Sequence, residues 1–402
     1  MRPLTLLLCG FVCAGSAAAQ GAADLQTRLD AYRGELAQLR RERPVRELPD
    51  VRFFLFGMGA RDKFVYRDGA LRELPGGRIA RQWQVRSELI VPPAYTVKLI
   101  TAAGKTVSIS EDEAGVWIDQ DGVKTALSQS KLHLPDFAAY AYSNVLRVLH
   151  HEILVNINSG KPVPNLLAYS KPWYRDGAMM AMVLARTGNL ALVKPWIDAL
   201  REPYDGNNQQ KGVHETEADN LGQALFLISL AGGREHPLVP VVLREIARFR
   251  QEEGGIVFIR GRSDFAPHPA YQTMWLKFGL HSLGLEDAFS VPRVTDPYGP
   301  LFWWEYRGDR VAGPRFGAAA GRDYPYLAWA EDHFYGEKRG PVSNRDYPLS
   351  WEANASQGDY ERLAVISPEY VRLRLSAPHT WHAAEMFLYL QSVVGETPGE
   401  CH

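Results

Sequence analysis

Apolar side chains recur along this chain with two different periods, and the switch between them divides it. In residues 22–42, AADLQTRLDAYRGELAQLRRE, the apolar positions Leu25, Leu29, Tyr32, Leu36 and Leu39 alternate at spacings of four and three. That spacing lays one apolar stripe on a helix. At under three heptads the stripe is expected to dock on the chain's own core rather than to form a coiled coil, and Pro44 and Pro49 end it. From about 50 to 133 the period becomes two. VRFFLFGMG, KFVYRDGALREL, QWQVRSELIV, YTVKLITAAGKTVSIS and AGVWIDQDGVKTALS are separated by Asp68-Gly69, Gly76-Gly77, Gly104 and Asp121-Gly122. Such glycine-bearing breaks between β-rich runs are hairpin signals, and they predict a small antiparallel β domain.

After Leu134-Pro135 the pattern turns helical. Candidate helices cover roughly 137–158, 175–187, 190–201, 217–231, 237–251, 270–283, 322–336 and 379–394. The segments between them, 159–173, 202–215, 252–269, 291–321 and 337–378, are rich in Gly, Pro and aromatic residues. Loops of that length inside a compact domain are usually functional or a sign that elements have been wrongly assigned. Helices alternating with such loops predict a ring of helical hairpins whose loops build one face. The expected fold class is therefore mainly α: an (α/α) toroid over 137–394, preceded by a helix over 20–48 and a small antiparallel β domain over 50–133. No internal sequence repeat accompanies it.

The first twenty residues, MRPLTLLLCGFVCAGSAAAQ, carry Arg2, an apolar run Leu4–Cys13 and small residues ending at Ala19. This is the three-part layout of a secretory leader, with cleavage expected after Ala19 and the leader occupying 1–19. The apolar run is too short to span a bilayer, and nothing later approaches the length required. Leu8-Cys9 and Val12-Cys13 lack the small residue that a lipoprotein leader places before its cysteine. Cys9 and Cys13 leave with the leader, so Cys401 is the one cysteine kept. The mature chain then relies on its core rather than on disulfides. The expected location is periplasmic or extracellular. With 45 basic and 46 acidic residues there is no basic field, so nucleic acid is not an expected partner.

The sharpest local feature is KPWYRDGAMMAMVLARTGN at 171–189. Met179, Met180, Val183 and Leu184 form an ordinary helix face, but the helix opens on Trp173, Tyr174, Arg175 and Asp176. Asp176 would serve as an N-cap in the plainest reading. Arg and Asp behind two flat rings also suit a sugar. A pyranose packs its apolar face on Trp or Tyr, and charged side chains hold its hydroxyls.

WYRD at the head of an apolar helix resembles the Trp–x–Arg–Asp signature of the six-hairpin glycosidases, the glucoamylase-like (α/α)6-barrel enzymes. ETEADNLGQALF (215–226) is similar to the helix start that carries the general acid there. LSWEANASQGDY (349–360) and APHTWHAAEMFLYL (377–390) are similar to the closing loop and last helix, which bring the base and an aromatic wall. The resemblance implies that Arg175 and Asp176 bind the sugar at the point of cleavage, that Glu217 is the acid and that Glu352 is the base. It also implies inversion at the anomeric carbon, which uses carboxyl groups about 6.5–9.5 Å apart with a water between. Glu215 and Asp219 compete with Glu217, and Asp359 and Glu385 with Glu352. Trp173, Tyr174, Trp351, Trp381 and Asn220 complete the expected carbohydrate-binding set, with Gln223 extending the polar face of Asn220.

Each assignment has a structural counterpart. Thr216-Glu217 is also a capping-box-like helix start, where the helix dipole would lower a carboxylate's pKa; acting as an acid requires burial to outweigh the dipole. Glu352 could pair with a nearby arginine on the surface, and His379 and His382 beside Trp381 suit core or capping roles. No HExxH, CxxC, Walker A, GxGxxG or GxSxG motif occurs, and His150-His151 point to different helix faces. No metal and no cofactor are expected. The expected activity is an exported glycoside hydrolase acting on a carbohydrate by acid/base catalysis. Two alternatives stand beside it: a polysaccharide lyase recruiting Tyr174, His214 and Arg175, and a non-catalytic glycan-binding protein of an uptake system.

Overall fold

The computed structural model describes residues 10–40, 48–49, 51–210, 212–294, 345–354 and 357–392. Helix α1 (Gly10–Arg40) lays Leu29, Tyr32 and Leu36 into the core, with Leu25 and Leu39 half-buried at its edges. Its Glu35 accepts the backbone N–H and the side-chain amide of Asn144, at 3.2 and 2.8 Å. Those bonds pin α1 to the start of α2 (Ser143–Val155).

Two antiparallel meanders follow α1. The first holds β1 (Phe53–Phe56), β2 (Phe64–Arg67), β3 (Ala70–Glu73) and β4 (Ile79–Gln82). The second holds β5 (Val85–Val91), β6 (Thr96–Thr101), β7 (Thr106–Glu111), β8 (Gly115–Gln120) and β9 (Val123–Gln129). Two tight hairpin turns have both central residues at positive φ, Asp68-Gly69 (50°, 74°) and Asp121-Gly122 (54°, 84°). That conformation matches the twist of paired strands, and Asp-Gly tolerates it well. In the second sheet Val97, Leu99, Val107, Ile109, Val116 and Ile118 point inward, which the period-two pattern dictates. β1 is covered on both faces and is apolar at every position.

The remaining helices are α3 (Tyr174–Arg186), α4 (Lys194–Asp198), α5 (Asp219–Ser229), α6 (Val239–Ile246), α7 (Pro269–Ser282), α8 (Pro368–Arg372) and α9 (Thr380–Ser392). α3 packs between α5 and α9, and α9 also packs on α2. α5 and α7 touch through their backbones: a Cβ on Gly222 would lie 2.2 Å from the Trp275 carbonyl, and one on Gly279 2.4 Å from the Gly222 oxygen. Only glycine permits that approach. One continuous cluster of buried side chains runs through α1, both sheets and these helices.

The expectation of a mainly α toroid is corrected by this architecture. Helix makes up 38% and strand 23%, with antiparallel sheets of four and five strands, so the fold is mixed α/β. The likeness to six-hairpin glycosidases does not extend to the fold and is set aside with it. Two-stranded ribbons stand where helical hairpins would need plain loops: β10 (Ile157–Asn158) with β11 (Lys161–Pro162), β12 (Gln209–Gln210) with β13 (Val213–His214), β14 (Arg250–Glu253) with β15 (Ile256–Ile259), and β16 (Glu352–Ala353) with β17 (Leu375–Ser376). Strands of two to four residues are too short to write a period into the sequence, so they pass as loop. The helix expected at 322–336 lies outside the described residues. Among the described residues no helix is long and apolar enough to cross a membrane.

Candidate functional site

The start of α3 organises the site. Trp173 occupies its N-cap in extended conformation and offers no side-chain cap. The cap comes instead from the loop after α4, where Asp205 accepts the Tyr174 backbone N–H at 2.7 Å and the Asn207 N–H at 3.0 Å. With capping done from elsewhere, Asp176 is released from the N-cap role. It lies buried in the first turn, and its Oδ1 accepts the Thr380 hydroxyl of α9 at 3.1 Å.

Arg175 turns the other way, toward α5. Its Nε donates to Asp219 Oδ2 at 3.0 Å, Nη1 to Asp264 Oδ2 at 2.7 Å and Nη2 to Glu217 Oε1 at 2.8 Å. The guanidinium also lies 5.2 Å from the centre of the Trp381 ring, within cation–π range. Asp219, the first residue of α5, is held further by the Ser263 hydroxyl and by Gln223 at 2.9 Å. Glu217 precedes the helix on an isolated bridge to Arg262, with Ala218 as N-cap, so it is not in the first turn as the capping-box pattern suggested. Asp264 and Phe265 both adopt left-handed backbone (φ 48° and 64°). That turn aims two successive amides at two glutamates: Asp264 N–H at Glu217 Oε1 (3.0 Å) and Phe265 N–H at Glu215 Oε2 (2.9 Å).

One guanidinium therefore faces three carboxyl groups, and the surplus falls on Glu217. Burial pushes Glu217 up to about 8; Arg175 opposes this, while Asp219, Asp264 and Asp205 add to it. Burial also works against the charge on Arg175, yet Asp219, Asp264 and Glu217 hold it protonated, well above the ordinary value. Both bonds to Glu217 end on Oε1. At neutral pH Glu217 is a carboxylic acid able to donate.

The second cluster has the opposite character. Glu352, in β16, accepts the Tyr169 hydroxyl at 2.5 Å and pairs with His379 Nε2 at 3.1 Å, both on Oε2. Its side chain keeps 22% of its surface exposed, whereas that of Glu217 keeps 2%. Burial would raise Glu352, but His379, His382 and Tyr169 outweigh it and draw it down to about 2. His379 is in turn raised by Glu352 and Asp176 against the effect of its burial. Asp176, between the clusters, is pushed by burial up to about 6; Glu352 adds to the shift, and His379, Arg175 and Thr380 oppose it.

The other expected site residues fall into two groups. Trp173, half-buried and edge-on to Tyr169 at 6.1 Å, and Trp381 under Arg175 border the clusters. Tyr174, Trp351 and Asn220 are buried supports. The Tyr174 hydroxyl donates to the Glu202 carbonyl at 2.7 Å, and Asn220 ties the Asp205 backbone to Gln223. Trp351 has no exposed surface, and its carbonyl meets His382 Nδ1 at 2.6 Å. Among the competing acids, Glu215 pairs with Arg262 at 3.0 Å and Asp359 with Arg362 at 3.5 Å, while Glu385 is fully buried in α9. His214 is exposed and bonded to the Gly206 carbonyl. Among the described residues no group of three or more His, Cys, Asp or Glu could hold a metal ion.

Sequence reasoning missed Asp264 and Tyr169 and favoured core or capping roles for His379. Asp264 enters through a left-handed turn and Tyr169 through an irregular loop, and neither conformation leaves a period in the sequence. His379 does sit beside Trp381 in the stretch singled out as an aromatic wall.

No family model, curated protein or solved structure matches the chain. The class of the site rests on its geometry: a buried neutral carboxyl and a partly exposed carboxylate, gathered with aromatic edges around one helix start.

Proposed function

We propose that the protein is an exported glycoside hydrolase in which Glu217 is the general acid and Glu352 the carboxylate that acts as base or nucleophile. The observation that carries this reading is the contrast between two carboxyl groups on either side of Arg175-Asp176: Glu217 is almost without solvent and its pKa is raised, while Glu352 is partly exposed beside His379 and its pKa is lowered. Glycosidic cleavage needs one carboxylic acid to protonate the leaving oxygen and one ionised carboxylate at the sugar. Environments that drive two carboxyl groups apart are how that division of labour is made. Trp173 offers a partly exposed aromatic edge beside Tyr169. Export rests on the three-part leader ending at Ala19.

The lyase alternative loses support here. Abstracting a proton beside a uronic carboxylate requires a cation to neutralise it, and the charge of Arg175 is already shared among Asp219, Asp264 and Glu217. An unsaturated, ultraviolet-absorbing product would reinstate that reading.

The test is a panel of neutral oligosaccharides and aryl glycosides, assayed with anomer-resolved NMR. Glu217→Gln should abolish turnover of glycans with poor leaving groups and spare activated aryl glycosides, which need little protonation. Glu352→Gln should abolish both. Full activity of Glu217→Gln on unactivated glycans would sink the assignment. Glycan binding that occurs without turnover and is unchanged in Glu217→Gln would instead indicate a binding protein.

A further inference from the structure

Glu152 is a wholly buried carboxyl group on α2 with no part in the chemistry above; burial pushes it up to about 8, against its bonds from Ser350 and Leu349. It faces the segment that leads into β16. Its Oε1 accepts the Leu349 N–H at 2.5 Å, and its Oε2 accepts the Ser350 N–H at 3.1 Å together with the Ser350 hydroxyl. That hydroxyl, while donating to Glu152, accepts the backbone N–H of His379 at 3.1 Å. His379 then closes the circuit by placing Nε2 on Glu352, two residues beyond Ser350. Its Nδ1 bonds to nothing among the described residues, so the ring is oriented by Glu352 and by the position of its own backbone.

We propose that His379 is the positioning residue for Glu352, and that Glu152 fixes it there through the Ser350 hydroxyl. One buried carboxyl group thus holds both the strand that carries Glu352 and the helix start that carries its partner. A hydroxyl can donate once and accept as well, so serine suits the junction and alanine does not. The charged and titratable groups facing His379 are Glu352 from β16, Asp176 from α3, Tyr169 from the loop before α3, and His382 from its own helix. Each could answer a change in its charge.

The catalytic consequence rests on the assignment of Glu352 proposed above, but the pairing itself does not need turnover to be tested. The direct test follows the imidazole titrations of the full chain, labelled at histidine, by NMR. In the native protein His379 should hold its proton to higher pH than free histidine. In Glu352→Gln it should lose it at lower pH, because the carboxylate that favours the charged ring is gone. Ser350→Ala, a small change that should leave the fold intact, should move His379 in the same direction while leaving His133 unmoved. Identical His379 titrations in all three proteins would overturn the proposal, whatever the enzyme assays show. On an aryl glycoside that the native protein turns over, His379→Gln should cut kcat about tenfold or more with KM within about twofold. It should also move the acid limb of the pH profile upward, since Glu352 loses the charge that keeps it ionised. A profile unchanged in its acid limb would likewise refute the positioning role.

Discussion

Replacing Arg175 by Met is the most demanding test of the buried cluster. Met keeps most of the stem's volume, so little of the effect comes from a cavity. What disappears is one guanidinium making charge-assisted bonds at 2.7–3.0 Å to three carboxyl groups, two of which are almost without solvent. Asp219 would keep only Gln223 and Ser263, and Glu217 only the Asp264 amide. Removing one partner of a buried pair leaves an uncompensated charge and costs about 3–5 kcal/mol. Such a loss is a large part of the roughly 5–15 kcal/mol that holds a domain folded. The pH dependence gives the loss a signature. Without the cation Glu217 loses the partner that opposes its upward shift, so its folded-state pKa rises further above its unfolded value. A group raised in this way contributes stability below its unfolded pKa and loses it as pH rises through the folded pKa. The variant should therefore be most impaired at about pH 9, above the point where native Glu217 ionises, and recover toward about pH 4. Urea unfolding followed by tryptophan fluorescence at both pH values measures this, and ten tryptophans supply the signal. Arg175→Lys keeps the charge but not the fork and should lose less, about 2 kcal/mol. A loss for Arg175→Met below about 1 kcal/mol at the higher pH, or an equal loss at both, would refute the account.

Asp176→Asn should act in two directions. Burial places Asp176 at about 6, above the unfolded range, so its stabilising contribution is lost as pH rises from about 4 through 6; the amide escapes that loss and should gain up to about 2–3 kcal/mol at about pH 8 relative to about pH 4. The same substitution should lower kcat/KM by about 1.5–3 kcal/mol if Asp176 holds a sugar hydroxyl, and an unchanged kcat/KM would leave it a purely structural residue. Tyr169→Phe removes the hydroxyl that donates to Glu352; kcat/KM should fall by a similar 1.5–3 kcal/mol or so with the thermal midpoint little altered, and a melt without loss of specific activity would count against the site. Asp205→Ala should cost about 1–2 kcal/mol of stability by uncapping α3 while Asp205→Asn stays near the native value, and equal losses in the two would show that no cap is involved.

The elements that were legible in the sequence are those whose periodicity runs for several residues. The stripe Leu25–Leu39 is a helix edge on the core, and the turns at Asp68-Gly69 and Asp121-Gly122 join strands where the period is two. The helices at 143–155, 219–229 and 380–392 fall inside the apolar runs that predicted them, and those at 174–186 and 269–282 begin one residue earlier than predicted. The fold class did not follow, because a ring of hairpins was inferred from the order of helices and loops alone. Order does not say what fills a loop, and here β10–β11, β12–β13, β14–β15 and β16–β17 do. At the site, the sequence exposed the residues made conspicuous by type: WYRD, Glu217 and Glu352 beside Trp351. It was silent on which of these face one another and which are buried, and Tyr174 and Trp351 went to the core. It was silent too on Asp205, whose capping of α3 from a distant loop is what frees Asp176.

The adjacency of Arg175 and Asp176 explains why two clusters of opposite character meet at one helix start. Consecutive side chains on a helix diverge by about 100°. With α3 packed between α5 and α9, one residue is delivered to each neighbour. Arg175 reaches Asp219 of α5 and the glutamate just before it; Asp176 reaches Thr380 of α9, next to the histidine that faces Glu352. A cation shared among three carboxyl groups does not offset the burial of Glu217, whose pKa stays raised. A carboxylate placed beside His379 helps keep that ring charged, and the charged ring keeps Glu352 ionised. Glu217 and Glu352 therefore owe their contrasting surroundings in part to one dipeptide, and α3 cannot turn about its axis without disturbing both. That dependence explains the directional residues at the head of an otherwise ordinary apolar helix.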